Sequence, residues 1–300
     1  MKVLVTGATG FVGSAVVQEL IRAGHRVLGL ARTDAGAKSL IAAGAEVHRG
    51  ELKDLESLHS GAAAADSVIH TAFIDDFNNY GPAAEADTRA IEALGAALAG
   101  TGRPLIITSG TLLVQRKGPL ALEDETHNPN FPRKSEEVAL ALASRGVHTS
   151  VLRLPPSVHG DGDHGFVPAL IRIAREKGVS AYVGDGLNRW PAVHRLDAAP
   201  LYRFALEKGS AGAAYHGVAD DGVPFREIAE VIGRRLNVPV VSKSPAEAAK
   251  HFGWLRHFVG MDSPASSQKT REVLGWQPKH PGLISDLDHP RYLQTLAANA

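Results

Sequence analysis

Three glycines near the amino terminus constrain the fold more than any other feature of the sequence. Gly7, Gly10 and Gly13 have the spacing Gly-x-x-Gly-x-x-Gly and directly follow a short, β-branched apolar run. That run predicts a buried strand, and the helical repeat of apolar residues after it predicts a helix that ends at Gly24. A second apolar run, 26–30, follows at once. The order of strand, glycine turn, helix and strand predicts a dinucleotide-binding unit of the parallel α/β class.

Each glycine of the turn has its own physical role. Gly7 permits the sharp turn, Gly10 lets the backbone approach a pyrophosphate, and Gly13 lets the helix pack closely on the strand. The pyrophosphate would lie against free N–H groups at the amino terminus of the helix. A tight turn without a ligand is the alternative, which the surrounding pattern disfavours. The residues assigned to this subsite are Gly7, Thr9, Gly10, Phe11, Val12 and Gly13.

The composition excludes several classes of function. The 300 residues carry no net charge, so neither a nucleic acid nor an anionic membrane is an expected partner. The sequence has no cysteine, which excludes disulfides, zinc–thiolate sites and thiol catalysis. No apolar stretch is long enough to span a membrane, and a first strand at residue 2 leaves no room for a signal peptide. We therefore expect a soluble, cytoplasmic protein.

The residues after the second predicted strand usually select the cofactor. Arg32 lies at this position and would accommodate the 2′-phosphate of NADP. Asp34 is close enough to bind the ribose 2′-hydroxyl of NAD instead. We therefore predict NADP(H) as the cofactor, with NAD(H) left open.

The glycine turn also resembles the signature of a known superfamily. The segment 6–13 is similar to that of the extended short-chain dehydrogenases/reductases, the NAD-dependent epimerase/dehydratase-like proteins. Weaker similarity extends to about residue 285 through the segments 67–73, 154–160, 190–197 and 274–278. The resemblance implies an α/β fold, a doubly wound parallel Rossmann sheet with a smaller C-terminal substrate-binding region. It places an NADP-binding Rossmann domain at 1–165 and the smaller region at 166–300, some elements of which return to the sheet.

The resemblance also implies further contacts with the cofactor. Glu51 and Leu52 match the stretch that contacts adenine in this superfamily. Residues 71–73 follow the fourth predicted strand, and 154–157 match the segment beside the nicotinamide. The residues assigned on this basis are Glu51, Leu52, Thr71, Ala72, Phe73, Leu154, Pro155 and Ser157.

The expected catalytic motif is incomplete. The superfamily uses Tyr-x-x-x-Lys, whereas this chain reads Asn130-Phe131-Pro132-Arg133-Lys134. The lysine is present, but an amide cannot act as an acid or base near neutral pH. The chain thus resembles an atypical member, in which Lys134 is expected to hold the nicotinamide ribose and Asn130 to orient substrate or water.

The surroundings of this motif predict a helix that opens at Pro132. Its periodicity places Lys134 on the buried face, with Val138 on the same side. Arg133 and Glu137 are expected to pair across one turn of the exposed face.

Other groups are candidates for the substrate hydrogen bond and the proton. Ser109 and Thr111 follow the fifth predicted strand, where the superfamily has its serine. Tyr80 lies on the loop after the fourth strand and has the phenol chemistry of a proton donor, and His159 is a further candidate. A metal site at 158–164 and a serine hydrolase triad are both disfavoured, the latter because Gly-x-Ser-x-Gly is absent.

These patterns together predict an NADP(H)-dependent oxidoreductase that acts on a small carbonyl, imine or activated alkene. The alternative is an NADP(H)-binding sensor or regulatory protein without turnover, which the missing tyrosine favours. The resemblance also implies a homodimer through the predicted helices 82–99 and 132–145.

Overall fold

Short aliphatic runs form the strands of the computed structural model, and amphipathic segments form its helices. The structure describes residues 1–74, 76 and 79–292. The strands are β1 (Lys2–Thr6), β2 (Arg26–Ala31), β3 (Glu46–Arg49), β4 (Ser67–His70), β5 (Pro104–Gly110), β6 (His148–Leu154), β7 (Ser157–His159), β8 (Ser180–Val183), β9 (Arg189–His194), β10 (Ala214–His216), β11 (Asp220–Pro224) and β12 (Val240–Lys243). The helices are α1 (Phe11–Arg22), α2 (Asp34–Ala42), α3 (Leu55–Ala63), α4 (Tyr80–Leu98), α5 (Ser135–Ala143), α6 (Phe166–Lys177), α7 (Arg195–Lys208), α8 (Phe225–Leu236), α9 (Pro245–Phe252), α10 (Gln268–Leu274) and α11 (Leu283–Leu287).

The central sheet has seven strands in the order β10-β6-β5-β4-β1-β2-β3. Every neighbouring pair in it is parallel. The strand order reverses between β1 and β4, and ligands of such sheets bind beyond the carboxyl ends of the strands at this point. The predicted doubly wound parallel sheet is confirmed.

Alternate residues of β1 show how the sheet divides two apolar cores. Val3 and Val5 pack in a core with α1 and α7, whereas Leu4 packs in a second core with α3, α4 and α5. This alternation is the two-residue period of a strand that is covered on both faces. Helices therefore lie on both sides of the sheet and leave the carboxyl edge between them for a site.

A third core belongs to the second half of the chain. It consists of buried residues between 167 and 292 and involves α6, α8 and α9. Two smaller sheets accompany it, β11-β9-β7 and β12-β8. In contrast, β10 and α7 pack with the central sheet. The domain boundary at 165/166 stays a prediction.

The start of α5 differs from the sequence prediction. The helix begins at Ser135, not at Pro132. The residues before it form turns, in which the backbone N–H of Phe131 donates to the carbonyl of Asn128 at 3.1 Å. Because Arg133 precedes the helix, its side chain is not constrained to a helical face. The dimer through α4 and α5 stays a prediction, and among the described residues no helix is both long and apolar enough to cross a bilayer.

A buried ion pair joins α5 to the central sheet. Arg153 of β6 is 1% exposed and pairs with Glu136 in the first turn of α5. Its guanidinium also donates to the carbonyls of Glu123 (3.2 Å) and Glu125 (2.8 Å) and lies 3.0 Å from His216 Nε2. Burial, followed by the charge of Arg153, lowers the pKa of His216 to about 3.

We expect Arg153→Met to destabilise the fold strongly, because the carboxylate of Glu136 would remain buried without its partner. Breaking a buried pair on one side costs about 3–5 kcal/mol. The matched control is Arg89→Met, which removes an exposed ion pair with Glu85 within α4 and should cost about 0.5 kcal/mol or less. Urea unfolding of both variants measures the difference. Equal destabilisation by the two substitutions would contradict a structural role for the buried pair of Arg153 and Glu136.

Candidate active site

A cavity of about 1220 Å³ opens at the carboxyl edge of the central sheet. It begins at the glycine turn, passes the ends of β2, β4 and β5, and ends between α6 and a short 3₁₀ turn at Gly253–His257. Ligand pockets of proteins are usually about 300–1,000 Å³. The cavity therefore exceeds what one small molecule needs.

The glycine turn has the geometry that its spacing predicts. Gly7 has a φ of +65°, and a Cβ there would lie 2.7 Å from the backbone nitrogen of Ala72. A Cβ on Gly13 would lie 2.0 Å from the carbonyl oxygen of Gly7. Gly10 precedes α1, which has neither a capping side chain nor an acidic residue in its first turn. The amino terminus of α1 is thus open to an anion.

The side chains after β2 separate the two candidates for cofactor selection. Arg32 lines the cavity, and its guanidinium has no ion-pair partner among the described residues. Asp34 instead opens α2 and forms an ion pair with Arg49 on the neighbouring strand. Thr33 caps α2 by accepting from the backbone N–H of Gly36 at 3.1 Å. The free cation therefore lies on the cavity wall, and the acid is already paired.

A chain of buried polar groups holds Arg133 at the wall of the cavity. Asp87 of α4 is fully buried, and its carboxylate accepts from Arg133 Nε at 3.2 Å and from the hydroxyl of Ser135. Arg133 Nη2 donates to the carbonyl of Thr108 at the end of β5, at 2.8 Å. The guanidinium also stacks on the ring of Phe73, 4.1 Å from its centroid. Three structural elements thus fix one guanidinium.

Behind Arg133 the same chain continues into the sheet. His70 Nε2 lies 3.1 Å from the other oxygen of Asp87, and the hydroxyl of Thr6 lies 2.7 Å from His70 Nδ1. Burial opposes ionisation of Asp87, but the charge of Arg133 and the bond from His70 outweigh it and lower the pKa of this carboxyl. Asp87 is therefore an anion that balances Arg133.

The two residues of the expected catalytic motif lie elsewhere. Lys134 is partly exposed, and its ammonium donates to Glu137 (3.2 Å) and to the carbonyl of Pro129 (3.1 Å). The expected pair between Arg133 and Glu137, and the buried orientation of Lys134, are therefore wrong. The cause is the later start of α5, which releases Arg133 to Asp87. Neither Lys134 nor Asn130 lines the cavity.

Ser109 and Tyr80 both line the cavity. Ser109 is the last residue but one of β5. It lines the cavity and is 3% exposed, and its hydroxyl has no hydrogen-bond partner among the described residues. Tyr80 also lines the cavity, with its ring 5.9 Å from that of Phe73. Burial raises the pKa of Tyr80, although the charge of Arg133 opposes this. Thr111 is buried but does not line the cavity.

The loop after β7 forms another part of the wall. Asp163 and His164 line the cavity, whereas His159 is fully buried behind it and lies 2.7 Å from Asp286. Asp163 accepts from the hydroxyl of Tyr292 and from the backbone N–H of Gly165 at 2.8 Å. His159 is therefore not placed to protonate a molecule in the cavity.

Most of the residues assigned from the sequence meet in this one cavity. Those that line it are Gly7, Thr9, Gly10, Phe11, Val12, Gly13, Arg32, Glu51, Leu52, Thr71, Ala72, Phe73, Tyr80, Ser109, Leu154 and Pro155. Those that do not are Thr111, Asn130, Lys134 and Ser157. Of the polar loop before α4, residues 75, 77 and 78 lie outside the described residues.

The far end of the cavity was not predicted from the sequence. It is formed by α6 and by the 3₁₀ turn, and its lining includes Phe166, Ala169, Arg172, Trp254, His257, Phe258 and Met261. The spacing of three and four residues within each group was the available signal, because such residues share one helical face. The opposite faces of both segments are also apolar, so the spacing of apolar residues did not distinguish the face that lines the cavity.

Sequence comparison relates the chain to a known family. The model of the NAD dependent epimerase/dehydratase family matches residues 3–90. An uncharacterized protein of Schizosaccharomyces pombe is 52% identical over 97% of this chain and all of the relative. The 2-alkyl-3-oxoalkanoate reductase of Stenotrophomonas maltophilia is 27% identical over 81% of this chain and 78% of that enzyme.

Structural comparison gives the same fold. The dTDP-glucose 4,6-dehydratase DesIV of Streptomyces venezuelae, solved with NAD bound, superposes with a TM-score of 0.80. The match covers 100% of this chain and 98% of the dehydratase, at 20% sequence identity. The likeness establishes the architecture.

Stability should depend on the protonation of Asp163. Burial raises the pKa of its carboxyl from 3.8 to about 6. The folded state binds this proton more tightly, so the stabilisation is complete below about pH 4 and is lost as the pH rises through about 6. Asp163→Asn keeps the shape and removes the titration. The thermal midpoint of this variant should rise relative to that of the parent protein between about pH 4.5 and pH 7.5. Parallel pH profiles of the two midpoints would contradict the raised pKa of Asp163.

Proposed function

Because the chain belongs to the NAD-dependent epimerase/dehydratase family of extended short-chain dehydrogenases/reductases, we propose that it is an NADP(H)-dependent reductase of a small carbonyl compound. One observation carries the proposal. A single cavity connects the glycine turn to Ser109, Tyr80 and Arg133. The similarity to a named oxoalkanoate reductase supports the same class of reaction.

The residues at the amino-terminal end of the cavity fit a dinucleotide. The pyrophosphate would lie over Gly10, where no side chain intervenes and the N–H groups of α1 face an anion. Arg32 would then bind the 2′-phosphate, since no acid among the described residues pairs with its guanidinium while Asp34 is paired with Arg49. This arrangement supports NADP(H) over NAD(H).

The polar groups near the ends of β4 and β5 fit a carbonyl oxygen. A bound reduced nicotinamide supplies a hydride to the carbonyl carbon. Ser109 would donate its unpaired hydroxyl to the carbonyl oxygen, and Arg133 would stabilise the negative charge that develops there. Ser109 is part of β5, and Arg133 is held by Asp87 and by the carbonyl of Thr108.

The remaining proton would come from Tyr80. Its phenol lies at the same wall of the cavity as Arg133, and its pKa is raised by burial. A phenol with a raised pKa is neutral near pH 7 and donates only to a stronger base, such as an alkoxide. The neighbouring guanidinium would stabilise the phenolate until solvent returns the proton.

Arg32→Ala should weaken NADP(H) binding by about tenfold to a hundredfold and leave NAD(H) nearly unchanged, because a charge-assisted hydrogen bond to phosphate contributes about 1.5–3 kcal/mol. Titration calorimetry with both cofactors measures this. The control is Arg26→Ala, which removes a guanidinium from the opposite end of β2, outside the cavity lining. Equal losses for both cofactors, or tighter NAD(H) binding by the parent protein, would contradict the assignment.

Arg133→Met should lower kcat/KM by about a hundredfold or more, since one preorganised donor to a developing oxyanion contributes that much. Lys134→Met is the matched control and should change kcat/KM by about threefold or less, because its ammonium is exposed and faces Glu137. Arg133→Lys keeps a charge beside Asp87 and guards against loss of folding. If Lys134→Met is the variant that lowers kcat/KM strongly, Lys134 holds the nicotinamide ribose as the sequence predicted.

The sensor alternative rests on the absence of the usual tyrosine at position 130. It predicts tight NADPH binding without oxidation of NADPH by any ketone, imine or enone. Absorbance of the reduced nicotinamide, followed after affinity is established, separates the two functions.

A further inference from the structure

Two short helical faces define the part of the cavity that lies beyond the reacting groups. On α6 the lining residues are Phe166, Ala169 and Arg172, spaced three residues apart. From the 3₁₀ turn onward they include Trp254 and His257. Each face therefore presents aromatic or aliphatic groups together with one basic side chain.

The aromatic residues form one connected wall. The ring of Phe166 lies 5.6 Å from Trp254, 5.1 Å from Phe258 and 5.8 Å from the buried Trp190. Ala169 and Met261 complete this wall with aliphatic surface. A wall of this kind binds an apolar or aromatic group and offers few hydrogen bonds to a sugar or a base.

The two basic side chains are exposed at this end of the cavity. The side chains of Arg172 and His257 have no hydrogen bond and no ion pair with another described residue. Among the described residues, the acidic side chains that line the cavity do not pair with these two basic groups. Asp76 accepts from Asn79, through its backbone N–H (3.1 Å) and its amide (2.8 Å), and Asp163 accepts from Tyr292. The third acid, Glu51, lies at the opposite end, beside the glycine turn.

From this juxtaposition we propose that the substrate is an oxo acid in which an apolar, ring-sized group separates the carbonyl from a carboxylate. The carbonyl would lie at Ser109, the apolar group against the wall of Phe166 and Trp254, and the carboxylate at Arg172. This deepens the proposed function and rests on it. The ketone gains a hydride at carbon from NADPH and a proton at oxygen, and yields the alcohol and NADP⁺, while the carboxylate is unchanged.

The test compares acids with their neutral amides. The ketones are 4-acetylbenzoate and 3-(4-acetylphenyl)propanoate, each paired with its primary amide, so that shape is kept and charge is removed. We expect kcat/KM to favour the better acid over its amide by about tenfold or more, because a guanidinium–carboxylate pair is charge-assisted. Added salt should reduce this ratio, since Arg172 is exposed.

Arg172→Met should bring the acid-to-amide ratio close to one. Arg175→Met, one turn further on α6 and outside the cavity lining, is the control and should leave the ratio as in the parent protein. A ratio near one in the parent, or a ratio that survives Arg172→Met, would overturn the inference and leave the reductase function standing.

Failure of the proposed function gives a different result. If no ketone oxidises NADPH, the reductase proposal fails. The acid-to-amide ratio of dissociation constants, measured by quenching of tryptophan fluorescence in the presence of NADP⁺, then still tests the carboxylate site. Tighter binding of UDP-glucose than of either acid would overturn it.

Discussion

The geometry of the candidate site depends on the fully buried carboxylate of Asp87. It lies between the sheet and α5, and it accepts hydrogen bonds from His70, Arg133 and Ser135. An unpaired charge in such a place would be costly, so the carboxylate needs all three partners. Because Asp87 takes Arg133 as its counter-ion, a guanidinium stands at the cavity wall beside Phe73. The position of Arg133 at the reacting end of the cavity is therefore determined by its ion pair with a carboxylate in the core.

The central sheet and the cofactor end of the cavity could be predicted from the sequence because their signals are local. Gly7 is required by its positive φ and Gly13 by its close approach to the carbonyl of Gly7, both within a single strand–turn–helix unit, and both behave as their spacing predicts. Arg32 follows its strand directly, so its place on the wall comes from the same unit. Sequence patterns are informative where the residues that interact are also neighbours in the chain.

The reacting end could not be predicted in the same way. Arg133 is held by Asp87, 46 residues earlier in the chain, and no helical period reveals a pairing of that length. The periodicity of 132–142 favoured Lys134 on the buried face, but α5 begins only at Ser135, which leaves Arg133 free to pair with Asp87. The substrate end was missed for a similar reason, since α6 and the turn with Trp254 meet only in the folded chain.

Transfer of deuterium from NADPH to the ketone tests the proposed reductase function most directly. In the proposed reaction the nicotinamide and the carbonyl carbon meet beside Ser109 and Arg133. NADPH that carries deuterium at C4, prepared separately as each of its two stereoisomers, is incubated with the protein and 4-acetylbenzoate, and the alcohol is analysed by mass spectrometry. The proposed reductase function predicts deuterium on the carbinol carbon from one stereoisomer and not from the other. Tight binding of NADPH with no deuterium in any product would contradict it.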